Sequence, residues 1–123
     1  MLDIGVDIVA IDRIQAILKS EKSEKFKKKI FSNNEIIESK KKHSESQYFS
    51  GRFAAKEAIR KALYSKSRAS NHSFKSIEIL NSKNGKPYIS SNLNHDVNIS
   101  ISHDGNYAVA FCVVNKRGWI ILK

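Results

Sequence analysis

The densest chemistry in the chain is the segment Gly51-Arg52-Phe53-Ala54-Ala55-Lys56-Glu57-Ala58-Ile59-Arg60-Lys61, which sets four cations and one carboxylate among small and aromatic residues. With about 3.6 residues per helical turn, Arg52, Lys56 and Arg60 form one i, i+4 row and Glu57 and Lys61 an adjacent one. Ala54, Ala58 and Ala62 form a third row, a groove of small side chains for another backbone or subunit. The charges stand among Phe and Ala instead of long polar residues, so several are expected to be only partly exposed. Taken alone, the segment reads as a helix with a surface salt bridge between Glu57 and Lys61, an interaction of little energetic weight.

Asp7 changes that reading. It lies in a segment otherwise made of apolar residues and Gly5, where a carboxylate is costly unless it is paired or binds a cation. From the strand alone it reads as an ordinary strand-end residue. Taken with Glu57, it supplies a second hard oxygen ligand, and the pair suits Mg²⁺, which usually takes one or two protein carboxylates and completes its shell with water and substrate phosphates. The row of Arg52, Lys56 and Arg60 stands where phosphates would be held.

A third element is Ser100-Ile101-Ser102-His103-Asp104-Gly105. Ser102, His103 and Asp104 do not make a hydrolytic triad, because consecutive strand residues point to opposite faces. His103 sits at a strand end before the Asp-Gly turn, a position usual for a surface histidine and also suited to reaching a ligand. His43, His72 and His95 fall in polar loops without metal-ligand spacing, so zinc has no support. The lone Cys112 reads as a small apolar strand residue.

The elements that must position these groups follow from periodicity. Leu2, Ile4, Val6 and Ile8 alternate as an opening strand, and Ile11, Ile14, Ile17 and Leu18 recur at helical spacing. A lysine-rich stretch from Lys19 to Lys29 is anchored by Phe26 and Ile30. Ser32-Asn33-Asn34-Glu35 has the form of a capping box opening a short helix toward Lys40. Lys40-Lys41-Lys42-His43 reads as an exposed end or loop, and Ser46 to Leu63 as a long helix. A polar loop is expected from Ser65 to Ser73, a strand through Ile77 and Ile79, and a turn at Asn84-Gly85-Lys86-Pro87 leading into another short strand. Val97, Ile99 and Ile101, then Tyr107, Val109, Phe111 and Val113, flank Asp104-Gly105 as a hairpin. Gly118 to Lys123 is expected to add a terminal strand. No repeat and no linker interrupt the pattern, so residues 1–123 are read as one α+β domain.

Size and composition narrow the function classes. The 123 residues carry a formal charge of +10, with 22 Lys and Arg against 12 Asp and Glu. From Lys19 to Arg68 there are 15 basic and 6 acidic residues, whereas the rest of the chain is nearly balanced, so any partner for the cations meets the first half. The longest apolar run, Tyr107 to Val114, is far shorter than the roughly 20 residues that span a bilayer. The start Met1-Leu2-Asp3-Ile4-Gly5-Val6-Asp7 lacks a basic leader region, and with one cysteine the expectation is a cytoplasmic protein without membrane attachment.

Gly5-x-Asp7 with Arg13, Gly51 through Ala58 with Lys61, and Ser100-Ile101-Ser102-His103 together resemble the holo-[acyl-carrier-protein] synthases, the small bacterial type of 4′-phosphopantetheinyl transferase. Phe26 through Ile30-Phe31 to Glu35, and Asn84 to Tyr88, agree in order, so the resemblance covers nearly the whole chain. It implies a small antiparallel sheet packed on a long helix, assembled as a homotrimer with active sites at subunit interfaces. It implies transfer of 4′-phosphopantetheine from coenzyme A to a serine of apo acyl carrier protein, releasing adenosine 3′,5′-bisphosphate. By the same resemblance, Asp7 and Glu57 hold Mg²⁺, and Glu57 or a metal-bound water takes the serine proton. Lys61 neutralises the leaving phosphate and His103 hydrogen-bonds the pyrophosphate or a metal-bound water. Asp7, Arg52, Lys56, Lys61 and His103 meet coenzyme A, with Gly85, Lys86 and Pro87 reaching the nucleotide from a neighbouring chain. Arg13, with Lys25, Lys28 and Lys29, is placed where an acidic carrier protein docks. The chain departs from the pattern before Gly51, where His43-Ser44-Glu45-Ser46-Gln47 replaces the usual basic residues and leaves Lys40 to Lys42 unassigned. The tail from Asn115, with Trp119, has no functional assignment.

The competing class is a small nucleic-acid-binding protein, suggested by the sequence pI of about 9.8 and the lysine clusters. Aromatics are not interleaved with those clusters, and that reading leaves Asp7 and Glu57 without a role. A non-catalytic trimer that binds coenzyme A is the third reading, weakened by the presence of Asp7, Glu57 and Lys61.

Overall fold

Alternation fixes the first strand, β1 (Leu2–Ala10), but the face it turns inward carries Asp3, Gly5, Asp7 and Val9, while Leu2, Ile4, Val6 and Ile8 stay exposed. The reason lies in what covers the inner face. In this computed structural model, which describes residues 2–64 and 72–116, the long helix α4 (Glu45–Leu63) lies so close to β1 that a Cβ on Gly5 would stand 1.9 Å from the carbonyl oxygen of Ala58. Only a residue without a side chain fits that approach.

Among the described residues the sheet has three antiparallel strands in the order β1-β5-β4, with β4 spanning His95–Asp104 and β5 Tyr107–Lys116. Its register aligns Gly5 with Cys112 and Ile99, Asp7 with Ala110 and Ile101, and Val9 with Ala108 and His103. Ala108, Ala110, Cys112 and Val114 of β5 are fully buried and form a shelf of mostly small side chains on which α4 rests. Burial pushes the Cys112 thiol up to about 11, as expected of a cysteine serving as an apolar strand residue. Gly105 (φ +55°) and Asn106 close the β4–β5 hairpin.

That hairpin tip also starts the next element. Helix α1 (Ile11–Leu18) has no side-chain cap of its own, and Asn106 replaces one. Its carbonyl accepts from Ile11 N–H at 2.7 Å and its Oδ1 from Asp12 N–H at 3.0 Å. Helices α2 (Ser23–Ile30) and α3 (Asn33–Ser39) follow. The capping box expected at Ser32 is formed, with Ser32 N–H donating to Glu35 Oε1 and Glu35 N–H to Ser32 Oγ. Ser44 caps α4 by accepting from Gln47 N–H. Phe26, Phe31, Phe49 and Phe53 stack edgewise or tilted where α2 and α4 meet, and Phe74 closes the chain of rings against Phe53.

Strands β2 (Ile79–Asn81) and β3 (Pro87–Ile89) make a separate two-stranded hairpin, turned by Gly85 at φ +88°. The strand expected through Ile77 begins two residues later, at Ile79, and the Ile77 carbonyl accepts from Lys56 of α4. His95, expected in a loop, opens β4. The Ala54, Ala58 and Ala62 row is core. Residues 65–71 of the expected polar loop, and Trp119 with the expected strand from Gly118 to Lys123, lie outside the described residues. Among the described residues, no helix is long and apolar enough to cross a membrane.

Candidate active site

Helix α4 runs obliquely over the inner face of the sheet, from β4 at Gly51 to β1 at Ala58. Its first half walls a cleft of about 340 Å³ whose lining includes Lys42, His43, Tyr48, Arg52, Gly85 and His103. A Cβ on Gly51 would lie 2.9 Å from His103 Nε2 and 3.0 Å from Ile101 Cγ2, so glycine is what admits the imidazole beside the helix. His103 Nε2 donates to the Gln47 carbonyl at 3.2 Å, since a carbonyl oxygen can only accept. Pro87 stands across the same cleft, placed by its pairing with Asn81.

The second half of α4 carries the acid and ammonium set. Lys61 Nζ donates to Asp7 Oδ1 and to the Val6 carbonyl, both at 3.1 Å, so the salt bridge of Lys61 runs to β1. The Glu57–Lys61 pair expected from spacing is not the one formed; Glu57 instead meets Arg60 Nη1 at 3.7 Å. Asp7 is largely buried while Lys61 is half exposed, so the ammonium faces solvent from a carboxylate set into the sheet. Glu57 stands one helical turn before Lys61, a rise of about 6 Å. Asp7 and Glu57 offer hard oxygen donors, and among the described residues no cluster of three or more Asp, Glu, His or Cys could hold a metal ion. Two carboxylates fit Mg²⁺, which leaves its remaining positions to water and phosphate, and do not fit a metal that needs a closed protein cage.

Two expected phosphate ligands have their donors taken by the protein itself. Lys56 is fully buried: Nζ lies 2.8 Å from Glu35 Oε1 and donates to the carbonyls of Phe74 at 2.8 Å and Ile77 at 2.6 Å. Burial pulls its pKa below the usual value, while the Glu35 carboxylate draws it back up. An ammonium with three such partners inside the core is a structural group, which corrects its assignment to coenzyme A. Arg52 lines the cleft but is only 6% exposed. Its Nε donates to the Ile79 carbonyl at 2.9 Å, and Nη2 donates to Asn81 Oδ1 at 2.7 Å and Glu38 Oε1 at 3.0 Å. The third member of the row, Arg60, lies 4.2 Å over the Phe74 ring. The cationic row therefore faces the 74–81 segment, and partial exposure holds for Arg60 and not for Arg52 or Lys56.

Sequence reasoning also missed residues. Lys42 and His43, left without a role, line the cleft together with Gln47, Tyr48 and Asn81. The exposed Lys40-to-His43 turn was legible; its return to the mouth of the cleft depends on the angle between α3 and α4, which no local pattern encodes. Gly85 and Pro87 share the cleft with His103 of their own chain, and Lys86 is exposed beside them. Arg13, Lys25, Lys28 and Lys29 are all exposed, with the Arg13 guanidinium 5.9 Å from the Phe53 ring centroid.

The family profile of the 4′-phosphopantetheinyl transferase superfamily matches residues 3–112. The chain belongs to that superfamily. Within it the chain is 40% identical to a holo-[acyl-carrier-protein] synthase of Anoxybacillus flavithermus over 119 residues, covering 94% of this chain and 97% of the relative. It is 42% identical to the synthase of Wolbachia pipientis wMel over 116 residues, covering 90% and 91%. Among solved structures, the Bacillus anthracis synthase in complex with CoA (3′,5′-ADP) superposes with a TM-score of 0.77 at 35% identity, covering 93% of this chain and 96% of that one. The Helicobacter pylori synthase in complex with coenzyme A gives a TM-score of 0.76 at 35% identity, covering 91% and 99%. The expected fold, a small antiparallel sheet packed on a long helix, is the fold of this superfamily member.

Proposed function

We propose that this protein transfers the 4′-phosphopantetheine group of coenzyme A to a serine hydroxyl of an apo acyl carrier protein. The serine oxygen forms a bond to the phosphorus bearing pantetheine, the pyrophosphate P–O bond breaks, and adenosine 3′,5′-bisphosphate leaves. The observation that carries this reading is that helix α4 of a superfamily member walls the cleft beside His103 with its first half and carries Glu57 and Lys61 in its second, Lys61 being paired with Asp7 of β1. Phosphoryl-type transfer depends mainly on positioning and charge neutralisation, and these residues provide both.

Asp7 and Glu57 would hold Mg²⁺, which when bound supplies positive charge to the pyrophosphate oxygens. Lys61 is oriented by Asp7 and the Val6 carbonyl, which use two of its three N–H donors. Its ammonium is placed to meet the negative charge that builds on the departing phosphate. Glu57, partly exposed and near Lys61, is the group of this chain suited to take the serine proton. His103 is held by Gln47 at the cleft wall, where its ring in the imidazolium form would have a second N–H, on Nδ1, for a phosphate oxygen. Lys42 brings a cation, and His43 a further hydrogen-bonding group, to the same cleft.

The assembly belongs to the same reading. Leu2, Ile4, Val6 and Ile8 of β1, with Tyr107 and Phe111 of β5, form an exposed apolar face on the outer side of the sheet. A patch of that kind on a small domain calls for cover, and further copies of this chain in a homotrimer supply it. Arg13 with Lys25, Lys28 and Lys29 offers a cationic surface for an acidic carrier protein, and loss of Arg13 should raise the KM for that protein and not for coenzyme A. The metal assignment is tested by following conversion of apo to holo carrier protein with Mg²⁺ and with EDTA. Activity that survives EDTA would overturn it, and the Glu57→Gln variant should lose turnover while still assembling.

A further inference from the structure

Glu38 does not line the cleft, yet three residues that do line it hydrogen-bond to its carboxylate. The Tyr48 hydroxyl donates to Oε1 at 2.7 Å, Arg52 Nη2 donates to the same oxygen at 3.0 Å, and the Asn81 N–H donates to Oε2 at 3.0 Å. Tyr48 and Arg52 come from α4 and Asn81 from β2, so one carboxylate on α3 ties together two walls of the cleft.

The link is reinforced on both sides. Arg52 also donates to Asn81 Oδ1 and the Ile79 carbonyl, and its guanidinium lies 4.5 Å over the Tyr48 ring. The outer edge of β2 is paired by side chains where a strand would otherwise stand. Glu35 Oε2 accepts from Ile79 N–H at 2.8 Å, Glu38 from Asn81 N–H, and Arg52 donates to the Ile79 carbonyl, while Lys56 holds the Ile77 carbonyl just before the strand. Asn81 pairs with Pro87 across the hairpin, so whatever fixes Asn81 also fixes the Gly85–Pro87 side of the cleft.

We propose that Glu38 is a positioning residue for the cleft: it holds Tyr48, Arg52 and Asn81 in register, and so sets affinity for coenzyme A without touching it. The inference rests on the coenzyme A reading of the cleft given above. A carboxylate that accepts three hydrogen bonds in a partly buried site forms a network whose members depend on one another. Glutamine in its place keeps the size but removes the charge and turns an N–H donor toward groups that are themselves donors.

The test is calorimetric binding of coenzyme A to the whole assembled protein, with steady-state kinetics beside it. The Glu38→Gln variant should raise both the Kd and the KM for coenzyme A by about tenfold or more, since small misplacements of positioning groups have effects of that order. The kcat at saturating coenzyme A and the KM for apo carrier protein should stay within about threefold, a split that general loss of folded protein does not produce. A cooperative melt with an unchanged Kd would overturn the proposal. If Glu38→Gln does not fold, Tyr48→Phe removes only the hydroxyl that meets Glu38; a KM rise confined to coenzyme A supports the proposal, and an unchanged value overturns it. Failure of the unsubstituted protein to bind coenzyme A at all would instead defeat the underlying reading of the cleft, a result separate from equal binding by both forms.

Discussion

Gly51 and His103 approach so closely that the space a Cβ would occupy on the glycine lies 2.9 Å from the histidine Nε2. The helix and the last inward residue of β4 are thus fitted to each other through an absent side chain. We expect Gly51→Ala to displace the imidazole from Gln47 and lower kcat/KM by about two orders of magnitude, as found for misplaced catalytic groups. Overpacking should cost about 1–3 kcal/mol in stability. A variant that melts lower but keeps full activity would show that His103 need not sit where α4 holds it.

The buried pair of Lys56 and Glu35 makes a stability prediction. Replacing Lys56 with Met leaves the Glu35 carboxylate buried without its charge partner, a change that costs about 3–5 kcal/mol in comparable sites. Chemical denaturation should show that loss in Lys56→Met. A parallel Lys61→Met variant, whose site is half exposed, should stay near the parent stability while losing turnover. Opposite behaviour of the two lysines would exchange the structural role of Lys56 and the catalytic role of Lys61.

Acid stability should depend on Glu38 and Glu78. Burial pushes both carboxyls up, but the Asn81 N–H, Tyr48 and Arg52 at Glu38, and Ser32, Ser90 and Asn34 at Glu78, outweigh it and hold both below their usual value of 4.5. A carboxyl depressed in the folded state binds fewer protons there than in the unfolded chain. Its contribution is therefore complete above the ordinary carboxylate range and is lost as pH falls through the folded value. Thermal melts from pH 7 down to pH 3 should show Glu78→Gln less stable than the parent at neutral pH, with the two curves converging in acid. Parallel curves would contradict the shift.

The outward face of β1 predicts its own phenotype. Val6→Asp places a charge in the exposed apolar column without touching α4. Sedimentation or light scattering should then show single chains for the variant and a trimer for the parent. A parent protein that is already monomeric would remove the need for that face to be covered.

The same strand shows how far the sequence could be read. Its alternation was plain, yet the inward face is the one carrying Asp3, Gly5, Asp7 and Val9, because close packing of α4 on Gly5 outweighs the apolar pattern. The capping box at Ser32, the long helix and the Gly105 hairpin were legible because each is a local device. The row of Arg52 and Lys56 was legible as a row, but its partners Glu35, Glu38 and the 74–81 segment lie 14 or more residues away, and only the fold reveals that both cations are taken. Asp7 and Lys61 were found separately, by a carboxylate in an apolar strand and by resemblance, and the tertiary structure joined them. Lys42 and His43 left no signal beyond exposure.

The transfer reaction is followed by incubating the protein with coenzyme A, Mg²⁺ and an apo acyl carrier protein and weighing the carrier protein by mass spectrometry. Transfer of the group predicts a mass increase equal to one 4′-phosphopantetheine on a serine, with one adenosine 3′,5′-bisphosphate released per carrier modified. An unchanged carrier mass in the presence of protein that is folded and binds coenzyme A would contradict it.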